Sequence, residues 1–125
     1  MSIRMIQHIN IRCADAARSR DFYVAAMGLT DGPRPPFRSQ GFWMYAGETP
    51  IVHLVQKPEG EGPRGDHTGE LDHIGLEAYD LEATRARLIE AGVAYRETVV
   101  PRDGAVQIFV TDPDGVKLEL NFAPA

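Results

Sequence analysis

A single cysteine, Cys13, stands among 125 residues. No intrachain disulfide and no cysteine-rich zinc cluster can therefore form. Cations are scarce: 13 Lys+Arg against 18 Asp+Glu give a net charge of −5 at pH 7, with no basic run anywhere. Such a balance does not suit a nucleic acid or an anionic membrane surface as partner. Long apolar runs are missing too, and the opening MSIRMIQHIN lacks the apolar stretch of a signal peptide. The expectation is a cytoplasmic protein with no membrane span. Fibrous and disulfide-scaffold classes fall away with these absences. What is present, 43% hydrophobic and 25% charged residues, is the composition of one ordinary globular domain with a core of its own.

One stretch departs from that composition. Residues 57–69, KPEGEGPRGDHTG, are rich in Gly, Pro and charge and read as a linker between module one (1–56) and module two (70–125). The two modules repeat each other. MIQHINIRCAD (5–15) lies over ELDHIGLEAYD (70–80), so that His8 falls on His73, Ile9 on Ile74 and Asp15 on Asp80. Further on, ARSRDFYVAAMG meets TRARLIEAG, each ending in glycine. IVHLV (51–55) then meets KLELN (117–121), which sets His53 on Glu119. Three matched segments in one order indicate a duplicated unit.

Each unit has a readable plan. IQHINIRC alternates, with Ile9, Ile11 and Cys13 on one face and His8, Asn10 and Arg12 on the other; LDHIGLEA does the same. Asp15 and Asp80 are suitable helix N-caps. Phe22, Tyr23 and Ala26, and in the second unit Leu81, Leu88 and Ala91, form apolar helix stripes. Gly28 and Gly92 stand where helices end. Three strands follow each helix, near 29–37, 41–46 and 50–56, and near 93–100, 105–111 and 115–122. DPDG (112–115) turns the last two into a hairpin. The fold class is therefore α+β: two βαβββ modules forming a curved eight-stranded cup, with helices on the outer face.

Alternation decides which side chains share the cup. His8 and His73 face away from the apolar residues of their strands. In VKLELNF the polar face carries Lys117, Glu119 and Asn121. The pattern around His53 is weaker, since Ile51 and Val55 share its face, but the repeat places it like Glu119. Three imidazoles and one carboxylate suit Zn, Ni, Co, Mn or Fe(II), and the lack of thiolates favours an open catalytic metal.

With QHI at 7–9, DHIGL at 72–76 and DPDGVKLEL at 112–120, the duplicated unit resembles the vicinal oxygen chelate superfamily over nearly the whole chain. That group contains glyoxalase I, extradiol dioxygenases, methylmalonyl-CoA epimerase, fosfomycin-modifying thiol transferases and bleomycin-binding proteins. The resemblance implies a divalent metal at the base of the cup, held by His8, His73 and Glu119. The fourth position is Glu in the glyoxalase I pattern and His53 here. The activity implied is a glyoxalase-like lyase or isomerase acting on a small substrate with vicinal oxygens, through a metal-stabilised enolate. Glu119 is the proton carrier in that reading, and glutathione is open as a co-substrate. Two alternatives stand beside it. One is an Fe(II) extradiol dioxygenase using His8, His73 and Glu119 alone. The other is a non-catalytic binding protein of the bleomycin-resistance kind, whose cup typically lacks the metal ligands.

Other residues follow from their faces. Asn10 and Arg12 share the His8 face and are candidates for substrate contact. Trp43 in GFWMYAG is a candidate pocket wall, and Gln107 and Phe109 are comparable candidates. His67, in the linker, reads as solvated. Cys13 reads as a small core residue, and the proline-rich loop 31–41 as a connection. The resemblance also implies a homodimer. Whether each cup is built within one chain or across two is left open by a linker of this length.

Overall fold

The computed structural model describes residues 2–62, 65, 68–101 and 103–124; His67 lies outside them. The elements run β1 (Ile9–Cys13), α1 (Ala16–Ala25), β2 (Thr30–Gly32), β3 (Gly41–Ala46), β4 (Thr49–Gln56), β5 (Ile74–Ala78), α2 (Leu81–Glu90), β6 (Arg96–Val99), β7 (Val106–Thr111) and β8 (Lys117–Phe122). This is the duplicated βαβββ order of an α+β fold. Both helices start as their sequences dictate: the carboxylates of Asp15 and Asp80 accept from the backbone N–H groups of Arg18 and Ala83. Both end at a glycine with positive φ, 71° at Gly28 and 69° at Gly92.

Two sheets result, ordered β1-β4-β3-β2 and β5-β8-β7-β6. In each, the first strand runs parallel to the last and the remaining pairs are antiparallel. The eight strands are thus divided four and four, and β1 and β5 each end their sheet at an edge. Two strands are shorter than their patterns suggest. β2 stops at Gly32 because Pro33, Pro35 and Pro36 offer no backbone donor to a ladder. β6 covers only Arg96–Val99. His8 and His73 sit one residue before β1 and β5, at the rim rather than within the strands.

The alternating residues fill the core as expected. Ile11, Cys13, Met44, Val52, Leu54, Ile108, Val110, Leu118, Leu120 and Phe122 are buried, joined by Tyr23 and Ala26 of the α1 stripe and by Leu88 of α2. Ala91 departs from its expected stripe: it caps α2 and is exposed. Burial pushes the Cys13 thiol up to about 12, so it stays protonated and acts as a packing residue.

The DPDG turn does more than reverse the chain. Asp112 accepts from the N–H groups of Asp114 and Val116 at 2.8 Å each, which fixes the turn. Its other oxygen accepts from the Tyr23 hydroxyl at 2.8 Å. Asp114 accepts from the Ala14 N–H and the Ser19 hydroxyl, both at 2.9 Å. A turn of module two is thereby bolted to the β1–α1 corner of module one. Charged acceptors each contribute about 1.5–3 kcal/mol in such bonds.

Candidate functional site

Register places one transverse row of side chains on the cup face of each sheet. In module one it is Asn10, His53, Trp43 and Gly32 across β1, β4, β3 and β2. In module two it is Gly75, Glu119, Phe109 and Arg96 across β5, β8, β7 and β6. The repeat reappears side chain by side chain: His53 matches Glu119, and Trp43 matches Phe109.

In module one the row carries a column of rings. His53 stacks on Trp43 with centroids 4.1 Å apart and planes within 10°. His8 stacks on the other face of His53 at 3.8 Å and 13°. The Nε2 of His53 lies 3.1 Å from the Pro50 carbonyl. A carbonyl only accepts, so that nitrogen carries the proton and the Nδ1 lone pair is left free. Burial, and then the charge of His8, lower the His53 pKa, which keeps the ring neutral. Phe37, from the loop before β3, tilts against Trp43 at 6.3 Å.

In module two His73 and Glu119 face each other, Nε2 to Oε2, at 3.4 Å. His73 is aimed by Asp72, whose carboxylate accepts from Nδ1–H at 2.8 Å. The Asp72 hydrogen bond, reinforced by the Glu119 charge, raises the His73 pKa. Glu119 is held on its other oxygen: the Gln107 amide donates to Oε1 at 2.7 Å and to Asn121 Oδ1 at 3.1 Å. The Thr98 hydroxyl closes the chain by donating to Gln107 Oε1 at 3.3 Å. A carboxylate that accepts from one nitrogen of a histidine and leaves the other nitrogen facing a second carboxylate is the kind of support that metal-ligating imidazoles receive.

The four candidate ligands are thus gathered two and two: His8 with His53, and His73 with Glu119. Among the described residues no three His, Cys, Asp or Glu side chains cluster to hold an ion. In kind the donors fit a borderline divalent ion. In arrangement, stacked imidazoles direct their lone pairs along parallel planes, so His8 must swing off His53 before both can aim at one point. Its exposure leaves it able to do so, since apart from that stacking its one side-chain hydrogen bond among the described residues is Nδ1 to Gln7 Oε1 at 3.0 Å.

Of the remaining candidates, Trp43 and Phe109 are on the cup rows, Gln107 lies one row along the same face, paired with Asn121 and Thr98, and Asn10 is exposed beside His53. Arg12 is turned to the surface and paired with Glu61 at 2.9 Å. Two residues were not singled out from the sequence. Asp72 directly precedes His73, a DH pair that could have signalled it. Arg96 is one arginine among many and gave no signal.

Among the described residues no helix is long and apolar enough to cross a membrane. Residues 5–120 match the family model of the Glyoxalase/Bleomycin resistance protein/Dioxygenase superfamily. No curated protein sequence matches the chain. Solved structures share its fold. A glyoxylase/bleomycin resistance protein/dioxygenase domain from Frankia sp. EAN1pec is 19% identical at a TM-score of 0.81, over 98% of this chain and 99% of that one. A glyoxalase/dioxygenase from Nostoc punctiforme is 19% identical at 0.76, over 99% and 94%. TnmS3, an antibiotic binding protein from Streptomyces sp. CB03234, is 25% identical at 0.70, over 100% and 99%.

Proposed function

The chain belongs to the Glyoxalase/Bleomycin resistance protein/Dioxygenase superfamily, and from that premise we propose that it is a divalent-metal-dependent lyase or isomerase acting on a small substrate with vicinal oxygens. The observation that carries this reading is the His73–Glu119 pair, aimed by Asp72 and held by Gln107. The metal would be held by His73 and Glu119 from one chain and by His8 and His53 from a second copy. When bound, such an ion supplies Lewis acidity to a substrate oxygen and acidifies the neighbouring C–H.

The chain's own residues supply the rest. Glu119 holds or moves a proton at Oε2 while Gln107 keeps Oε1 engaged, so the carboxylate presents one oxygen in a fixed direction. Asp72 keeps the Nε2 edge of His73 turned inward. His53, neutral and with Nε2–H committed to Pro50, offers only Nδ1. A neutral imidazole in place of a second carboxylate leaves the centre more positive, which favours an anionic substrate form.

A second reading has its own support. The Trp43–His53–His8 column is a flat aromatic wall, and the similarity to an antibiotic binding protein suits a protein that sequesters planar molecules. Elemental analysis of untagged protein, purified anaerobically without chelator, separates the two. Near-stoichiometric Ni, Co, Zn or Mn is expected, and Fe would point instead to dioxygenase chemistry. Absence of metal, with none taken up on titration, would leave the binding protein.

A further inference from the structure

We propose that Arg96 holds an anionic group of the substrate, so that the molecule taken into this cup is a small acid bearing a carboxylate or phosphate at the end remote from its vicinal oxygens. The proposal rests on the chelating reading above and extends it to the substrate class. Arg96 closes the module-two row, on the same face as Glu119 and Phe109. Its guanidinium lies over the Phe109 ring, 4.3 Å from the centroid. That seat covers one face of the planar group and leaves its N–H edge available.

Among the described residues the charge is unanswered. Arg85 takes both Glu82 and Glu97, the carboxylate next to Arg96 in sequence. Arg12 takes Glu61 and Arg20 takes Asp21. Among the described residues Arg96 has no such ion pair and donates no side-chain hydrogen bond. A groove of about 650 Å³ runs beside it, lined by His73, Tyr95, Arg96, Phe109, Thr111 and Lys117, among others. Lys117 adds a second cation, but it faces Asp72 at 3.7 Å, and Asp72 also accepts from His73. That trio is balanced locally, and among the described residues Arg96 is not.

Spacing fits a small molecule. β8 and β6 are separated by β7, so the Glu119 and Arg96 backbones stand about 10 Å apart at two inter-strand steps. A compound of six to ten or so heavy atoms, with oxygens at the His73–Glu119 end, brings an acid group within reach of the guanidinium. The duplicated row argues against a merely structural cation. In module one the matching position is Gly32, where an added Cβ would fall 2.6 Å from the Tyr45 ring. The sheet thus forms without a charged residue at that place.

Protocatechuate and its neutral methyl ester, which share the vicinal oxygens, are suitable probes. Binding is measured by calorimetry and by the emission of Trp43, the one tryptophan, on zinc-loaded and on chelator-treated protein. In wild type the acid binds about tenfold or more tighter than the ester, the scale of one charge-assisted pair. Arg96→Gln removes that preference while leaving ester affinity and zinc content unchanged, and Arg96→Lys keeps part of it. Equal affinities in wild type, no binding of either probe, or a preference that survives Arg96→Gln each overturn the proposal. Should the preference follow Arg96 while neither probe responds to zinc removal, the anion site stands and the chelating reading falls.

Discussion

His53 has both faces of its ring covered, by Trp43 and by His8, so its chemistry is confined to its edge. One edge nitrogen is spent on Pro50, which leaves Nδ1 as the test of its role. His53→Ala removes both ring and nitrogen, whereas His53→Phe restores the ring alone. If His53 is a ligand, both variants bind zinc at least about tenfold more weakly in competition with a chromophoric chelator. Zinc affinity that survives in the Phe variant would make His53 a stacking plate only. Gln107 gives a second prediction at this scale. Gln107→Leu frees Glu119 Oε1 from its donor, and zinc affinity is expected to fall about 10–100-fold, as it does when a supporting partner is lost. Unchanged affinity with unchanged circular dichroism would remove Gln107 from the site. The repeat made His73 and Glu119 legible, because duplication ties a residue to its counterpart whatever the intervening chain does. Asp72 stood beside His73 as a DH pair but was not weighed, whereas Arg96 was not legible, since an exposed guanidinium takes its meaning from where its tip folds back. Alternation reports the face of a residue and never the reach of its side chain.

At the scale of elements, the β7–β8 turn is the joint between the modules. Asp114→Ala orphans the Ala14 N–H and the Ser19 hydroxyl, which are largely buried. A loss of about 1–3 kcal/mol per orphaned group is expected in urea unfolding; a loss below about 0.5 kcal/mol, the scale of an ordinary surface change, would mean the joint is solvated. Asp112 adds a pH dependence. Burial raises its pKa above the usual 3.8, against the hydrogen bonds from Val116, Tyr23 and Asp114 that lower it. Its contribution to stability is therefore full below about 3.8, its unfolded value, and is lost as pH rises through the raised folded value, because the folded state binds the proton more tightly. In Asp112→Asn that falling limb should vanish from a plot of stability against pH; a limb of equal size would assign it to another group. DPDG was readable as a turn from its own four residues. Its docking on α1 was not, because contacts with Ala14, Ser19 and Tyr23 cross the whole chain and leave no period. The strands were readable where alternation was strict, and β2 was overextended where prolines stopped the ladder.

For the whole molecule, the decisive feature is that the two candidate ligand pairs belong to two sheets whose first strands are both edges. An edge strand offers unpaired backbone groups to another strand. Beside these edges lie apolar side chains with nothing over them: Ile3 and Ile6 are each 82% exposed and Leu71 is 64% exposed. A second copy, arranged by a two-fold axis, could cover these residues and bring His8 and His53 of one chain to His73 and Glu119 of its partner. Each dimer would then hold two shared centres. The arithmetic of exchange tests this directly. His8→Ala and Glu119→Ala homodimers each carry a defect in both centres and should bind zinc weakly. In a mixed dimer one centre collects both defects and the other collects none. Equimolar chains that exchange freely therefore regain about a quarter of wild-type centres, since half of the dimers are mixed. Zinc bound per chain, read after exchange has been verified by mass-labelled subunits, should rise to that fraction. If the mixture binds no more zinc than its parents, the two pairs do not meet across chains and the shared-centre arrangement falls.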